Sequence, residues 1–339
     1  MSPAAPFRPW GELPWALALS AARRWRFFGC VAAEERSTAA LVALHRLGAL
    51  ERVEMHRILD PEPADLATED RIINERVAAC AAAGCTINPV LTPLDAPLQN
   101  SAWRQTFTFP ANTSLCLDVS SLPKRFFFAA LKAALQSAHV RDLLIVYSKP
   151  LGYPRGPLAS NPRDWSTLTG FDADDPDTQK SAASHQIVGA GFAVEGLHDY
   201  LEGRGNRTRV DVMIPFPATP WDSVQRSWDS ARGIAAALGV DTDHDSSKVQ
   251  PTYHRVGALD TATAFDCLLS LTNGGRTPAA LAPLGPKPLS VAMCLLAAQT
   301  GRHPVYYAQP RTYALNYSLG FKTTYAYWIK HDGVNFYSL

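Results

Sequence analysis

The sequence has almost no net charge, no closely spaced cysteine pair and no long apolar run. Its 339 residues carry 32 Lys plus Arg against 31 Asp plus Glu, a formal net charge of +1. Proteins that coat nucleic acid or an anionic membrane need a basic excess or a basic stripe. The tight basic cluster of this chain is Arg23, Arg24 and Arg26 around Trp25, read as a solvated flank of the first strand. Nucleic acid is therefore a disfavoured partner, although a local basic groove is compatible with a neutral total. The six cysteines are Cys30, Cys80, Cys85, Cys116, Cys267 and Cys294. None makes a Cys-x-x-Cys pair, and most sit in apolar runs, where cysteine acts as a small hydrophobe. That pattern predicts reduced thiols, a reducing compartment and no structural zinc. No apolar run approaches the ~18 residues of a membrane span. The short apolar stretch 13–22 is followed, not preceded, by Arg23 and Arg24, so it is not read as a signal peptide. The expectation is a cytoplasmic protein with no membrane partner.

Common catalytic signatures are missing as well. There is no P-loop, no Gly-x-Ser-x-Gly elbow and no His-Glu-x-x-His helix. Gly189-Ala190-Gly191 begins like a dinucleotide fingerprint, but Val194 stands at the third glycine position and Asp211 falls inside the next strand. Asp241, Asp243 and Asp245 begin like a calcium loop, but Ser246 replaces the required glycine and Thr252 stands where the bidentate Glu belongs. The sequence assigns no metal and no cofactor. Its nine histidines lack ligand spacing, and His254, at a strand end, is the one to watch.

What is present is α/β alternation. Segments 25–31, 52–59, 115–119 and 142–147 read as strands, and the short apolar run at 25–31 suits a sheet covered on both faces. Helical patterns at 37–47, 66–83 and from Pro123 to about Gln136 separate them. Residues 154–184, rich in Pro, Gly, Asp and Ser, break the pattern. Alternation then resumes, with strands at 186–192, 209–214, 252–256 and 304–308 and helices at 194–201, 221–238, 260–271 and 288–299. Near the end, 322–330 alternates like a strand, Asp332-Gly333 reads as a two-residue turn, and 334–339 returns.

The two stretches resemble each other. Pro123-Lys124 opens one helix and Pro286-Lys287 another, with the lysines 163 residues apart, and Ala129 and Ala134 match Ala292 and Ala297. Each helix leads to a strand ending in Val-Tyr, then Pro, then Tyr: Val146, Tyr147, Pro150 and Tyr153 against Val305, Tyr306, Pro310 and Tyr313. The reading is an α/β protein of two tandem Rossmann-like modules with mostly parallel sheets, internally duplicated. Its parts are a first module over 1–153 with an N-terminal extension, a linker or functional loop over 154–185, a second module over 186–313 and a β-hairpin tail over 314–339. A chance match of alanine-rich helices before β-branched strands is the competing explanation.

In open parallel sheets, ligands bind beyond the carboxyl ends of the strands, so polar residues there are the candidates. Glu34, Glu35, Arg36 and Ser37 follow the first strand; Glu35 is a candidate acid/base, with helix capping as the alternative role for this loop. Its counterpart in the second copy is Glu195. Asp118, Ser120, Ser121, Lys124 and Arg125 form the densest polar group, with Asp118 a second candidate acid/base. Cations at a helix N-terminus oppose the macrodipole, and an anion held there by Lys124, Arg125 and backbone N–H groups would explain them. The second copy keeps Lys287. Tyr147 and Tyr306, past strand ends, are candidates to stack on a base or donate a hydrogen bond; packing on the sheet edge is the plainer role.

At GCVAAEERS, LDVSSLPKRF and LIVYSKP the chain resembles uncharacterised bacterial Rossmannoid proteins of mobile or defence-type gene neighbourhoods. That resemblance implies a nucleotide-handling role in antiviral defence and no particular reaction or catalytic residue. The expected function is binding of a phosphorylated, nucleotide-like ligand between the two halves, with hydrolysis or group transfer as an open extension. The alternative is a non-catalytic subunit that docks a partner protein in a multi-protein complex.

Overall fold

The computed structural model describes residues 7–18, 23–97, 107–191, 197–202, 208–216, 229, 232–236 and 250–339. The expected helix at 221–238 lies largely outside these residues, as do Glu195 and the calcium-like turn from Asp241 to Ser246. The protein is mixed α/β, with a large, mostly parallel sheet and eight described α-helices. Two compact units divide it: Met1–Asn161 with Pro310–Ser338, and Pro162–Gln309 with Leu339.

The first unit is built on five parallel strands: β2 (Trp25–Cys30), β3 (Leu50–Leu59), β4 (Val90–Pro93), β5 (Thr113–Asp118) and β6 (Val140–Ser148). Alternate residues of β2 and its neighbours, Trp25, Phe27, Cys116, Leu144 and Val146, are buried in one core cluster. Helices α1 (Leu13–Ala18), α2 (Ala39–Arg46) and α3 (Leu66–Ala82) add Leu13, Leu41, Leu44 and Ile73 to it. Helix α4 (Lys124–Gln136) packs on β5 and β6 outside that cluster and buries Phe126, Phe127 and Phe128. Pro123 precedes α4 with φ −58°, which suits a proline at a helix start. The C-terminal residues join the same sheet: β15 (Thr324–His331) runs antiparallel to β6, β1 (Trp10–Glu12) antiparallel to β15, and β16 (Val334–Asn335) folds back on β15. Asp332 and Gly333 have φ of 50° and 81°, the positive pair a tight hairpin turn demands. The order β1-β15-β6-β5-β2-β3-β4 reverses direction between β2 and β5. At that point the loops leaving two adjacent strands diverge to opposite sides and open a crevice.

The second unit holds β9 (His185–Gly189), β10 (Arg209–Pro215), β11 (Thr252–Val256) and β12 (Ala280–Pro283), all parallel, in the order β11-β10-β9-β12. Val305 adds a parallel bridge to Leu281 on the far side of β12. In chain order this is third, second, first, fourth, as in the parallel part of the first sheet. Helix α6 (Leu197–Glu202) follows β9, α7 (Thr261–Leu271) follows β11, and α8 (Lys287–Thr300) follows β12. Helix α8 begins at Lys287 after Pro286 with φ −59°, matching the start of α4. Segment 154–185 carries more regular structure than its composition implies: β7 (Ala159–Pro162), β8 (Ser166–Thr167) and α5 (Pro176–Ala182), the last capped by the Asp175 carboxylate. Strand β7 pairs with β14 (Pro310–Tyr313), and β8 with β13 (Tyr306–Tyr307).

Candidate functional site

The carboxyl ends of β2, β5 and β6 carry a buried, connected set of polar groups. Asp118 ends β5 at 2% exposure, and its Oδ1 accepts the Ser120 N–H at 2.8 Å. Gly29 makes room beside it: a Cβ on Gly29 would lie 3.3 Å from that of Asp118. The Ser120 Oγ accepts the Ser148 N–H at 2.8 Å, tying β5 to β6. Arg36 reaches the Ser148 carbonyl through Nη1 at 3.4 Å and donates its Nε–H to Glu34 Oε2 at 2.8 Å. The Ser318 hydroxyl donates to the same oxygen. Hydrogen bonds thus run unbroken from Asp118 through Ser120, Ser148, Arg36 and Glu34 to Ser318.

The strap above this set is fixed by backbone bonds. Leu151 N–H donates to the Leu319 carbonyl, Leu319 N–H to that of Gly152, and Lys322 N–H to that of Lys149. The strap brings Tyr153, Tyr313 and Tyr317 together, with ring centroids 6.5 Å apart for Tyr153–Tyr317 and 6.0 Å for Tyr313–Tyr317. The Arg36 guanidinium lies 5.6 Å from the Tyr147 ring centroid. Burial is the largest influence on Arg36 and opposes its charge, but Glu34 together with Tyr147 and Tyr153 outweighs it and holds the guanidinium well above its ordinary range. Burial pushes the Tyr317 phenol up to about 12, helped by the Glu34 carboxylate, and burial and Tyr147 raise Tyr153 as well. At neutral pH these phenols keep their protons, and the Tyr153 hydroxyl is hydrogen-bonded to that of Tyr147.

Arg36, Asp118, Ser120 and Tyr147, four of the residues singled out from sequence, therefore belong to one network. Others sit apart from it. Glu35 is exposed on a 3-10 turn (Glu35–Thr38), with Arg76 of α3 3.7 Å away. Arg125 clamps the loop after β4, donating to the Leu94 and Ala96 carbonyls at 2.7 and 2.9 Å. Lys124 is 8% exposed in the first turn of α4, more buried than a solvent-reaching cation would be. Ser121 is half-buried, and its Oγ has no hydrogen-bond partner among the described residues. In the second unit Lys287 is half-buried at the start of α8, and the Tyr306 hydroxyl accepts a hydrogen bond from the Gln179 amide.

No protein-family model matches this chain, and no curated protein matches it.

Three participants carry no mark in the sequence. Glu34 reads there only as a cap, because nothing local distinguishes it from Glu35. Ser318 lies 284 residues from Glu34 along the chain, with Tyr317 next to it, beyond the reach of any spacing argument. The second unit has its own polar knot. Buried Asp211 on β10 accepts His185 Nε2–H at 2.8 Å, His254 Nε2–H at 2.7 Å and Arg209 Nε–H at 2.7 Å. Burial alone would raise its carboxyl, but these three donors bring it down to about 2. The knot joins β9, β10 and β11 and ties the sheet, with His254 at the middle of β11 and not at a strand end. His254, the histidine singled out from sequence, is one of its members. Among the described residues no group of His, Cys, Asp and Glu is arranged to hold a metal ion, and no helix is long and apolar enough to cross a membrane.

The two direction-reversal points differ. In the second unit the loops after β9 and β12 touch backbone to backbone. A Cβ on Gly191 would lie 2.8 Å from the Leu284 carbonyl carbon, and one on Gly285 2.8 Å from the Ala190 oxygen. Glycines close that crevice. In the first unit the corresponding place is occupied by Asp118, Ser120 and Arg36.

Proposed function

We propose that this protein binds a phosphorylated, nucleotide-like ligand at the carboxyl end of the first unit's sheet. The observation that carries the reading is the buried hydrogen-bonded set at the point where strand order reverses, the place where open α/β sheets take their ligands. Lys124 in the first turn of α4, and a helix start that Pro123 leaves without a side-chain cap, add features that favour an anion. Asp118 is the acid/base candidate if the ligand is also cleaved or transferred. The defence setting implied by the resemblance belongs to this same proposal, as does internal duplication. Duplication is supported by the shared strand order and by the matching Pro-Lys starts of α4 and α8; on that reading the first copy kept a buried polar set where strand order reverses.

A thermal-shift assay against nucleosides, nucleotides and inorganic phosphate tests the reading. A ligand at 100 times its Kd should stabilise the protein by about 2.7 kcal/mol. A panel with no effect at millimolar concentration would count against it.

A second reading is a docking subunit. Leu151, Leu319 and Phe321 on the strap are 58%, 49% and 42% exposed, and clustered exposed apolar groups mark interaction surfaces. Co-purification of a partner that is lost on changing Leu319 and Phe321 to Ser would favour it.

A further inference from the structure

The strap of the first unit carries exposed apolar groups beside two lysines whose charges meet no counter-charge. Leu151, Leu319 and Phe321 are large apolar residues left in water. They are neighbours in space. Leu151 N–H donates to the Leu319 carbonyl, and a Cβ on Gly320 would lie 2.9 Å from Leu151 Cδ1. Leu151 therefore lies against the residue that separates the other two. The two stretches of the strap are bonded to each other through their backbones, so the apolar groups sit on a paired loop and not on a free end.

Lys149 and Lys322 belong to the same strap. Lys149 N–H donates to the Thr323 carbonyl at 2.9 Å and Lys322 N–H to the Lys149 carbonyl at 3.1 Å, which sets the two lysines side by side on facing stretches of chain. Among the described residues neither ammonium makes an ion pair or a hydrogen bond. Burial and the Lys322 charge both pull the Lys149 ammonium below its ordinary range, so the two cations repel each other as they stand. The Glu35 carboxylate also reaches the strap, 3.9 Å from a Gly320 Cβ, but it faces Arg76 at 3.7 Å and neither lysine.

Apolar groups flanked by unpaired cations match an occupant with an apolar anchor flanked by carboxylates. An anionic bilayer offers a similar chemistry, but attachment there relies on clusters of about four to eight basic residues, and Glu35 would meet the same negative surface. A peptide places its acids over the lysines alone. Three part-exposed side chains are a footprint for a short segment, not for a domain-sized interface of about 800 Å² a side.

We propose that the strap docks a short acidic segment of a partner protein, with an apolar residue seated among Leu151, Leu319 and Phe321 and with Asp or Glu side chains over Lys149 and Lys322. This rests on the docking reading above and adds the chemistry of the partner.

The test selects binders from random peptides displayed on phage, with the full chain as bait. Enriched peptides should combine Asp or Glu with Leu, Phe or Trp. The most enriched one, synthesised with a fluorescent label, should bind in an anisotropy titration. Lys149→Glu with Lys322→Glu should weaken it roughly tenfold, the combined worth of two exposed ion pairs. Leu319→Ser with Phe321→Ser should weaken it at least as much. Added salt should weaken binding to the parent and hardly change binding to the charge-reversed variant. Should the serine variant fail to fold, charge reversal leaves the apolar groups in place and decides alone. No enrichment, enriched peptides without acidic residues, or parental affinity in the charge-reversed variant overturns the proposal. Phosphatidylcholine vesicles containing phosphatidylserine probe the lipid alternative: co-sedimentation of the parent, lost on charge reversal, assigns the face to a membrane and overturns it as well. A co-purifying partner that is lost in the serine variant but kept on charge reversal would leave the docking reading standing without the acidic segment.

Discussion

Glu34 holds Arg36 by its Nε edge at 2.8 Å, two residues away along the chain, and both side chains are almost completely buried. Taking two charges out of water is compensated only while both are present. Glu34→Ala should therefore destabilise the first unit by about 3–5 kcal/mol. The double variant Glu34→Leu with Arg36→Met should recover most of that loss. Urea unfolding followed by tryptophan fluorescence measures both; equal losses in the single and double variants would show that the pair is not the unit of stability.

The glycine closure of the second unit is equally open to test. A methyl at Gly191 meets the backbone of Leu284, which has no rotamer by which to give way. Gly191→Ala should cost at least about 1–3 kcal/mol, the usual range for overpacking. Gly48, with φ 64° and nothing within 4 Å of a Cβ, supplies the control. There an alanine meets only left-handed backbone strain of about 1–2 kcal/mol. A Gly191→Ala protein as stable as the parent would mean that the two loops are not in contact.

Two buried groups give opposite pH dependences. Burial holds His303 down to about 4, and its Nδ1 accepts the Ala279 N–H, which needs the neutral ring. The unfolded chain takes up this proton near pH 6.5 and the folded one only near 4, so stability is lost as pH falls through that window. At about 1.4 kcal/mol per unit the loss is on the order of 3 kcal/mol, and His303→Gln should flatten it. Asp60 runs the other way. Partial burial raises its carboxyl to about 6, against the Tyr313 N–H that favours the charged form. Its folded state binds the proton more tightly, so its contribution is lost as pH rises from about 4 to 6. Asp60→Asn should remove that slope, and a denaturation series from pH 4 to 8 separates the two.

None of the six cysteines is in a disulfide, and five are buried. Only Cys267 is partly accessible, and burial, with Asp211 nearby, pushes its thiol up to about 11. The thiolate is the reactive form. Native protein should therefore react slowly with a thiol reagent at pH 7.5, at Cys267 first. Rapid labelling of several cysteines would contradict the packing.

The parts of this structure that are legible in the sequence are those set by local pattern. The strand 25–30 shows as a short apolar run, interrupted only by Arg26, because most of its side chains are buried. The Pro-Lys starts of α4 and α8 show because proline fixes φ, and the Asp332-Gly333 turn because only such residues take positive φ in succession. What is not legible depends on distant partners. Glu34 and Glu35 are indistinguishable by neighbourhood, yet one turns in to Arg36 and the other out toward Arg76, a choice made by Ser318 and by α3. Arg125 reads as an anion ligand beside Lys124 but turns to two carbonyls of the β4 loop. The segment 154–185 reads as irregular because its strands are only two to four residues long and pair with β13 and β14, far away in sequence.

The most direct test of the central claim is an equilibrium titration of nucleoside monophosphates into the parent protein and into Lys124→Gln and Ser121→Ala. Saturable binding at one site per chain is expected. Affinity should be roughly ten- to hundredfold weaker for nucleosides lacking the phosphate, with a smaller loss in each variant. The absence of any saturable heat with nucleotides or phosphate, from protein shown to be folded, would contradict it.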